Sequence, residues 1–231
     1  GGREIAVTFD DGPSRVETPR LLEMLAKRNI RATFFVLGQR VRDNPAIARQ
    51  IVEEGHEIAN HSWDHANLKK LSQDAVRSQL QRTHDIVRKT TGVEMKAFRP
   101  PYGSFSEAQR QWAYKEFGYP TILWAVDPLD WKRPGSSVIA QRIVNGTEPG
   151  NIVLAHDIHK MTVDAMPAAL DGLLAKGYRF VTVSELLAME KPRPVPTPAP
   201  SAAPAASPST VSTTVTPVPG IPRAEPVHPV R

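Results

Sequence analysis

The first apolar stretch of the chain, "AVTFDDGP" at residues 6–13, ends in two adjacent carboxylates, Asp10 and Asp11, before a Gly-Pro stop. Side by side they repel, so the pair calls for a cation nearby, although Asp-Gly-Pro is also ordinary turn chemistry. "HSWDH" spaces His61 and His65 four apart. On one helical turn that spacing aims both imidazoles the same way and lets them hold one metal ion. Zinc needs a third ligand, commonly a carboxylate or another histidine, and Asp11 supplies it if the two strand ends adjoin. Ser62 stands where His-Glu-x-x-His proteases carry their base, so a base must come from elsewhere, and Asp10 is the candidate.

Three further stretches add polar groups. "RPPYG" brings Arg99, a cation able to pair with Asp10 and keep it ionised. Its two prolines, Pro100 and Pro101, stiffen a loop whose backbone N–H near Tyr102 suits an oxyanion. "DPLDW" offers Asp127, Asp130 and Trp131; a tryptophan exposed beside a site often forms a sugar platform, though a place in the core is its commoner fate. "LAHD" offers His156, which can protonate a leaving amine or serve as a hydrogen-bonded structural histidine.

Positioning these groups is the task of alternating elements. Strand patterns read as "EIAVTF", "ATFFVL", "HEIAN", "KAFR", "TILWAV", "NIVLA" and "RFVTV". Between them run helical patterns: "TPRLLEMLAKRN", "NPAIARQIVEEG", "SQDAVRSQLQRTHDIVRKTTG", "SEAQRQWAYKEFG", "SSVIAQRIVNG" and "MPAALDGLLAKG". Most of these end in Gly or Asn, as left-handed caps prefer. Seven short apolar strands separated by helices predict a parallel sheet or barrel. Asp10 and Asp11, His61, Pro100 to Tyr102, Asp127 and His156 each follow a strand, and a closed α/β barrel delivers all such ends to one rim.

Composition narrows the partners. At 231 residues and 40% hydrophobic the chain can bury a substantial core. Lys191, Arg193, Arg223 and Arg231 against Glu225 place +3 of the net +5 in the last forty or so residues. The body is therefore nearly balanced, without the gathered Lys/Arg of a nucleic-acid binder. Cysteine is absent, which excludes disulfides and thiolate chemistry. No apolar run reaches the roughly 18 residues a membrane span needs. The opening "GGREIAV" has neither an initiator Met nor a signal-like region, which predicts a processed or truncated start with any targeting segment missing. From Pro192 onward twelve of the 22 prolines occur and no aromatic does, so residues 191–231 read as a Pro/Ala/Ser/Thr-rich, disordered spacer after a domain of residues 1–190. "NHS" at Asn60 and "NGT" at Asn145 match the glycosylation pattern; the first reads as chance beside a metal site and the second as a C-cap turn.

In order, "TFDDGP", "HSWDH", "RPPY", "DPLDW" and "LAH" resemble the five motifs of the polysaccharide deacetylases, the NodB-type domain of carbohydrate esterase family 4. The resemblance covers about residues 3–190. It implies a distorted, TIM-barrel-like (β/α)7 barrel that removes acetyl groups from a polysaccharide or oligosaccharide. Asp10 would be the catalytic base, Asp11, His61 and His65 the metal triad, and Arg99 the group that orients Asp10. Tyr102 would give its N–H to the oxyanion beside Pro100, Leu154 and Trp131 would line the acetyl pocket, and His156, tuned by Asp130, would be the acid. One divalent ion is implied, zinc first, with cobalt or nickel as alternatives. Peptidoglycan, chitin oligomers and poly-N-acetylglucosamine are all open as N-acetylated substrates; peptidoglycan comes first, from the wall-spacer character of the tail. An O-acetyl esterase acting on xylan and a non-catalytic sugar-binding module are the rival readings. Family and tail together place the protein in the bacterial cell envelope or outside the cell.

Overall fold

Alternation along the first strand decides what faces the site. In the computed structural model, which describes residues 2–189, β1 spans Glu4–Asp10. Ile5, Val7 and Phe9 enter the large apolar cluster between sheet and helices, whereas Ala6 joins a smaller one with Phe35, Ala59, Ala97 and Ile122. Side chains alternate along a strand, so Thr8 and Asp10 share the side of Ala6. That side is the interior of a barrel.

Its wall is parallel throughout. β2 (Thr33–Val36), β3 (Glu57–Asn60) and β4 (Ile152–His156) follow the order β3-β2-β1-β4, and the two-residue β5 (Arg179–Phe180) joins the start of β1. Isolated bridges link Asn60 to Phe98, Phe98 to Thr121 and Val126 to Val153, which carries the wall round to β4 and closes the circuit. The seven expected segments are thus all in the wall, but "KAFR" and "TILWAV" supply bridges rather than ladders. Pro100, Pro101, Pro120 and Pro128 bracket these segments and lack the N–H a ladder needs. The Ile122 and Leu123 carbonyls bond the Arg99 guanidinium at 3.4 and 3.0 Å.

Eight α-helices surround the wall among the described residues: α1 Glu17–Ala26, α2 Gly38–Asp43, α3 Pro45–Glu53, α4 Gln73–Thr91, α5 Glu107–Phe117, α6 Ser136–Gly146, α7 Lys160–Ala175 and α8 Val183–Met189. Six match the sequence patterns. The short α2 and α8 escaped them, α2 because its six residues are too few to show a helical period. Ser72 and Ser106 cap α4 and α5 at the start, and left-handed Gly92 and Gly118 close them. No helix among the described residues is long and apolar enough to cross a membrane. Asn60 is wholly buried with its amide donating to the Leu80 carbonyl, which leaves no room for a glycan. Asn145 and Gly146 still belong to α6, so "NGT" is helix rather than the expected cap turn. The tail from residue 191 lies outside the described residues.

Candidate active site

Asp10 and Asp11 occupy successive positions, which in a strand would point to opposite faces. Asp11 escapes that rule by leaving the strand with φ of 77°, in the left-handed region, and its carboxylate turns to the same side as Asp10. Asp11 Oδ1 lies 3.2 Å from His61 Nε2 and 3.3 Å from His65 Nε2. Asp10 Oδ2 stands further off, 3.6 Å from His61 Nε2. Burial works against the charge on Asp11, but the His61 and His65 rings hold its carboxyl well below the usual carboxylate range.

The two histidines meet by a route that the spacing argument did not foresee. Residues 61–67 form no helix. Ser62 and His65 both have positive φ, 77° and 67°. Asn60 Oδ1 accepts the Ser62 N–H, Ser62 Oγ accepts the His65 N–H, and Gln79 of α4 accepts the Trp63 N–H. A loop pinned from β3 and α4 therefore does what one helical turn was expected to do. His61 Nδ1 donates to the Arg99 carbonyl at 2.7 Å, and because a carbonyl only accepts, Nε2 is left bearing the lone pair. The His65 ring packs edge-on to Tyr102, centroids 4.6 Å apart.

Arg99 lies inside the barrel with 0% exposure. One nitrogen, Nη1, donates to Asp10 Oδ1 and to Thr8 Oγ1, both at 2.7 Å. The guanidinium lies 4.1 Å from the centroid of the Phe35 ring and is steadied by the Ile122 and Leu123 carbonyls. Such an arrangement fixes the direction of the Asp10 carboxylate and leaves its second oxygen to the cavity. Tyr102 follows in a 3-10 turn at φ of 62°, its side chain 68% exposed at the rim.

Opposite Asp10 in the β1–β4 register stands His156. Its Nδ1 donates to Asp130 Oδ1 at 2.8 Å, while Asp130 Oδ2 accepts the His156 backbone N–H at 2.9 Å and the Thr162 hydroxyl at 2.8 Å. Asp130 is fully buried. Burial pushes the His156 imidazolium down, but the Asp130 carboxylate outweighs it and holds the ring up at about 9. The hollow between these groups measures about 440 Å³ and is lined by Asp10, Asp11, His61, His65, Pro100 and Tyr102 on one side and by Asp127, Trp131, Leu154 and His156 on the other. Every catalytic, metal-ligand or substrate-binding residue expected from the sequence lines this hollow or bonds a residue that does. Trp124 and His159 also line it and were missed. Trp124 was hidden inside an apolar strand pattern; the signal for His159 was its place three residues beyond His156.

The donor set fits a divalent cation. Oδ1 of Asp11 is buried without a hydrogen-bond partner, and it lies with one nitrogen of each histidine inside a triangle of side below 4.8 Å. Ligands at the usual zinc distances in a tetrahedral arrangement stand about 3.3 Å apart, close to the separations seen here.

With fold and hollow in view, comparison with known proteins places them. The family model described as polysaccharide deacetylase matches residues 1–122. A peptidoglycan-N-acetylglucosamine deacetylase, PgdA of Listeria monocytogenes, is 42% identical over 80% of this chain, which spans only 39% of that relative's length. A peptidoglycan-N-acetylglucosamine deacetylase of Bacillus cereus is 41% identical over 79% of this chain and 87% of its own. Among solved structures, the peptidoglycan deacetylase PdaC from Bacillus subtilis superposes with a TM-score of 0.77 at 38% identity, covering 81% of this chain and 91% of that one. The chain belongs to the polysaccharide deacetylase family.

Proposed function

We propose that residues 1–190 are a metal-dependent hydrolase that removes N-acetyl groups from N-acetylglucosamine-type residues of a cell-wall polysaccharide, peptidoglycan foremost, and releases acetate. The observation that carries this reading is the convergence on one hollow of an Asp-His-His triad, an Arg-held carboxylate and an Asp-held histidine. The activities of the relatives, peptidoglycan deacetylases of bacteria, support peptidoglycan as the polymer and the cell envelope as the setting.

Asp11, His61 and His65 would hold a divalent ion, zinc first, which when bound acidifies a water and polarises the acetyl carbonyl. Asp10 takes the proton of the attacking water, its carboxylate held by Arg99 and pointed at the hollow. The Tyr102 N–H donates to the oxyanion that develops on the carbonyl oxygen. His156, protonated through its bond to Asp130, delivers a proton to the departing sugar nitrogen, so that the C–N bond breaks with a neutral amine leaving. Leu154 with Trp131 encloses the acetyl methyl, and the exposed faces of Tyr102 and Trp131 flank the sugar ring.

Acetate release is the test. Purified protein, stripped with a chelator and resupplied with zinc, cobalt or nickel, is offered N-acetylglucosamine oligomers, peptidoglycan and acetylated xylan. Metal-restored release from the first two is the expected result. Release from xylan alone would reassign the protein as an O-acetyl esterase, and release from none would leave a sugar-binding module.

A further inference from the structure

Asp157 follows His156, has no part in the reaction proposed above, and is wholly buried. It sits just past the end of β4, absent from the lining of the hollow and turned toward α1. There Thr18 Oγ1 donates to its Oδ2 at 2.5 Å and in turn accepts the Ser14 N–H at 2.7 Å. Its other oxygen, Oδ1, has no partner, and no cation pairs with it among the described residues. Burial accordingly pushes this carboxyl up to about 7.

Above it stands Gly12. A Cβ placed on Gly12 would fall 2.5 Å from both carboxyl oxygens of Asp157. Gly12 is not among the residues with positive φ, so a left-handed backbone is not what calls for glycine there. What requires glycine at this position is the closeness of Asp157. The carboxyl is thus seated flush against the turn that carries both aspartates, and through Thr18 and Ser14 it grips the far end of the same loop.

We infer that Asp157 is a positioning residue: it sets the height of the Asp10–Gly12 turn over the end of β4, so that Asp11 meets the two histidines while Asp10 stays opposite His156. The inference rests on the metal-centre reading of Asp11, His61 and His65. It assigns a purpose to a buried acid that would otherwise only cost stability.

The test reads the metal centre directly, by zinc competition titration and by the visible spectrum of the cobalt-loaded protein, alongside kcat and KM. Asp157→Ala is expected to weaken zinc binding by about 10–100-fold, the usual effect of removing a group that orients a ligand, and to alter the cobalt spectrum. Asp157→Asn, which keeps the shape and the oxygen facing Thr18, is expected to restore both. Gly12→Ala is expected to weaken zinc binding by itself, and the Gly12→Ala, Asp157→Ala double variant to recover part of the loss because the methyl then has room. Asp157→Ala with the wild-type zinc affinity and spectrum would overturn the inference, as would strictly additive losses in the double variant. Should Asp157→Ala fail to fold, wild-type zinc affinity in Gly12→Ala overturns it equally. Wild-type protein that takes up no zinc would sink the metal-centre reading instead, so the two failures are distinguishable.

Discussion

Neutralising Asp10 and deleting a histidine ligand strike different parts of the hollow. Asp10→Asn keeps an oxygen for Arg99 and leaves the Asp-His-His triad intact. It is expected to bind zinc stoichiometrically while losing about 10²–10⁴-fold in turnover, the usual worth of a positioned base. His61→Ala and His65→Ala are expected to lose the zinc itself, as elemental analysis after dialysis would report. The proposed acid has its own signature. His156 holds its proton up to about 9, so turnover should fall as the pH rises past that value. Asp130→Asn removes the carboxylate that raises it and leaves burial, which lowers it, so the alkaline limb of the pH–kcat profile should move to lower pH. A limb that stays in place would remove His156 from the role of acid.

At the level of elements, Arg99 does more than orient the Asp10 carboxylate. Its guanidinium replaces ladder hydrogen bonds for the segment around Ile122 and Leu123, where the barrel wall is made of single bridges. Arg99→Met strips those carbonyls and leaves Asp10 buried without its cation, so chemical denaturation should register a loss of about 3–5 kcal/mol. This is also where sequence reading reached its limit. β1, β2, β3 and β4 were legible because their apolar runs are short and bounded, and α4 and α5 because serine caps and glycine stops frame them. The "KAFR" and "TILWAV" segments look like strands by composition, yet their pairing partner is partly a distant side chain, which no local pattern reveals. The turn at Ser62 to His65 was illegible for a similar reason: its two left-handed residues are neither glycine nor asparagine and are held by Asn60, Ser62 itself and Gln79.

For the molecule as a whole, ion binding and folding should be linked. Zinc held by Asp11, His61 and His65, as proposed, would tie β1 to the loop after β3, and unfolding would release it. At a hundredfold excess over its dissociation constant zinc should add about 2.7 kcal/mol, or about 5–10 °C in Tm for a domain of this size, measured by calorimetry with and without chelator. The site was more readable than the wall because five groups of reactive residues each end or follow a segment of the wall, and a barrel gathers such ends on one rim whatever the details of pairing. Asp157 stayed hidden because its meaning lies in a contact with Gly12, 145 positions away in the chain. The burial of Arg99 has a bearing on descent as well. A lineage that drifts away from the reaction cannot discard the acid at position 10 freely, since a lone cation would then be stranded inside the barrel. Retired descendants of this fold should therefore show the two positions changing as a couple, with an apolar or neutral pair standing in their stead.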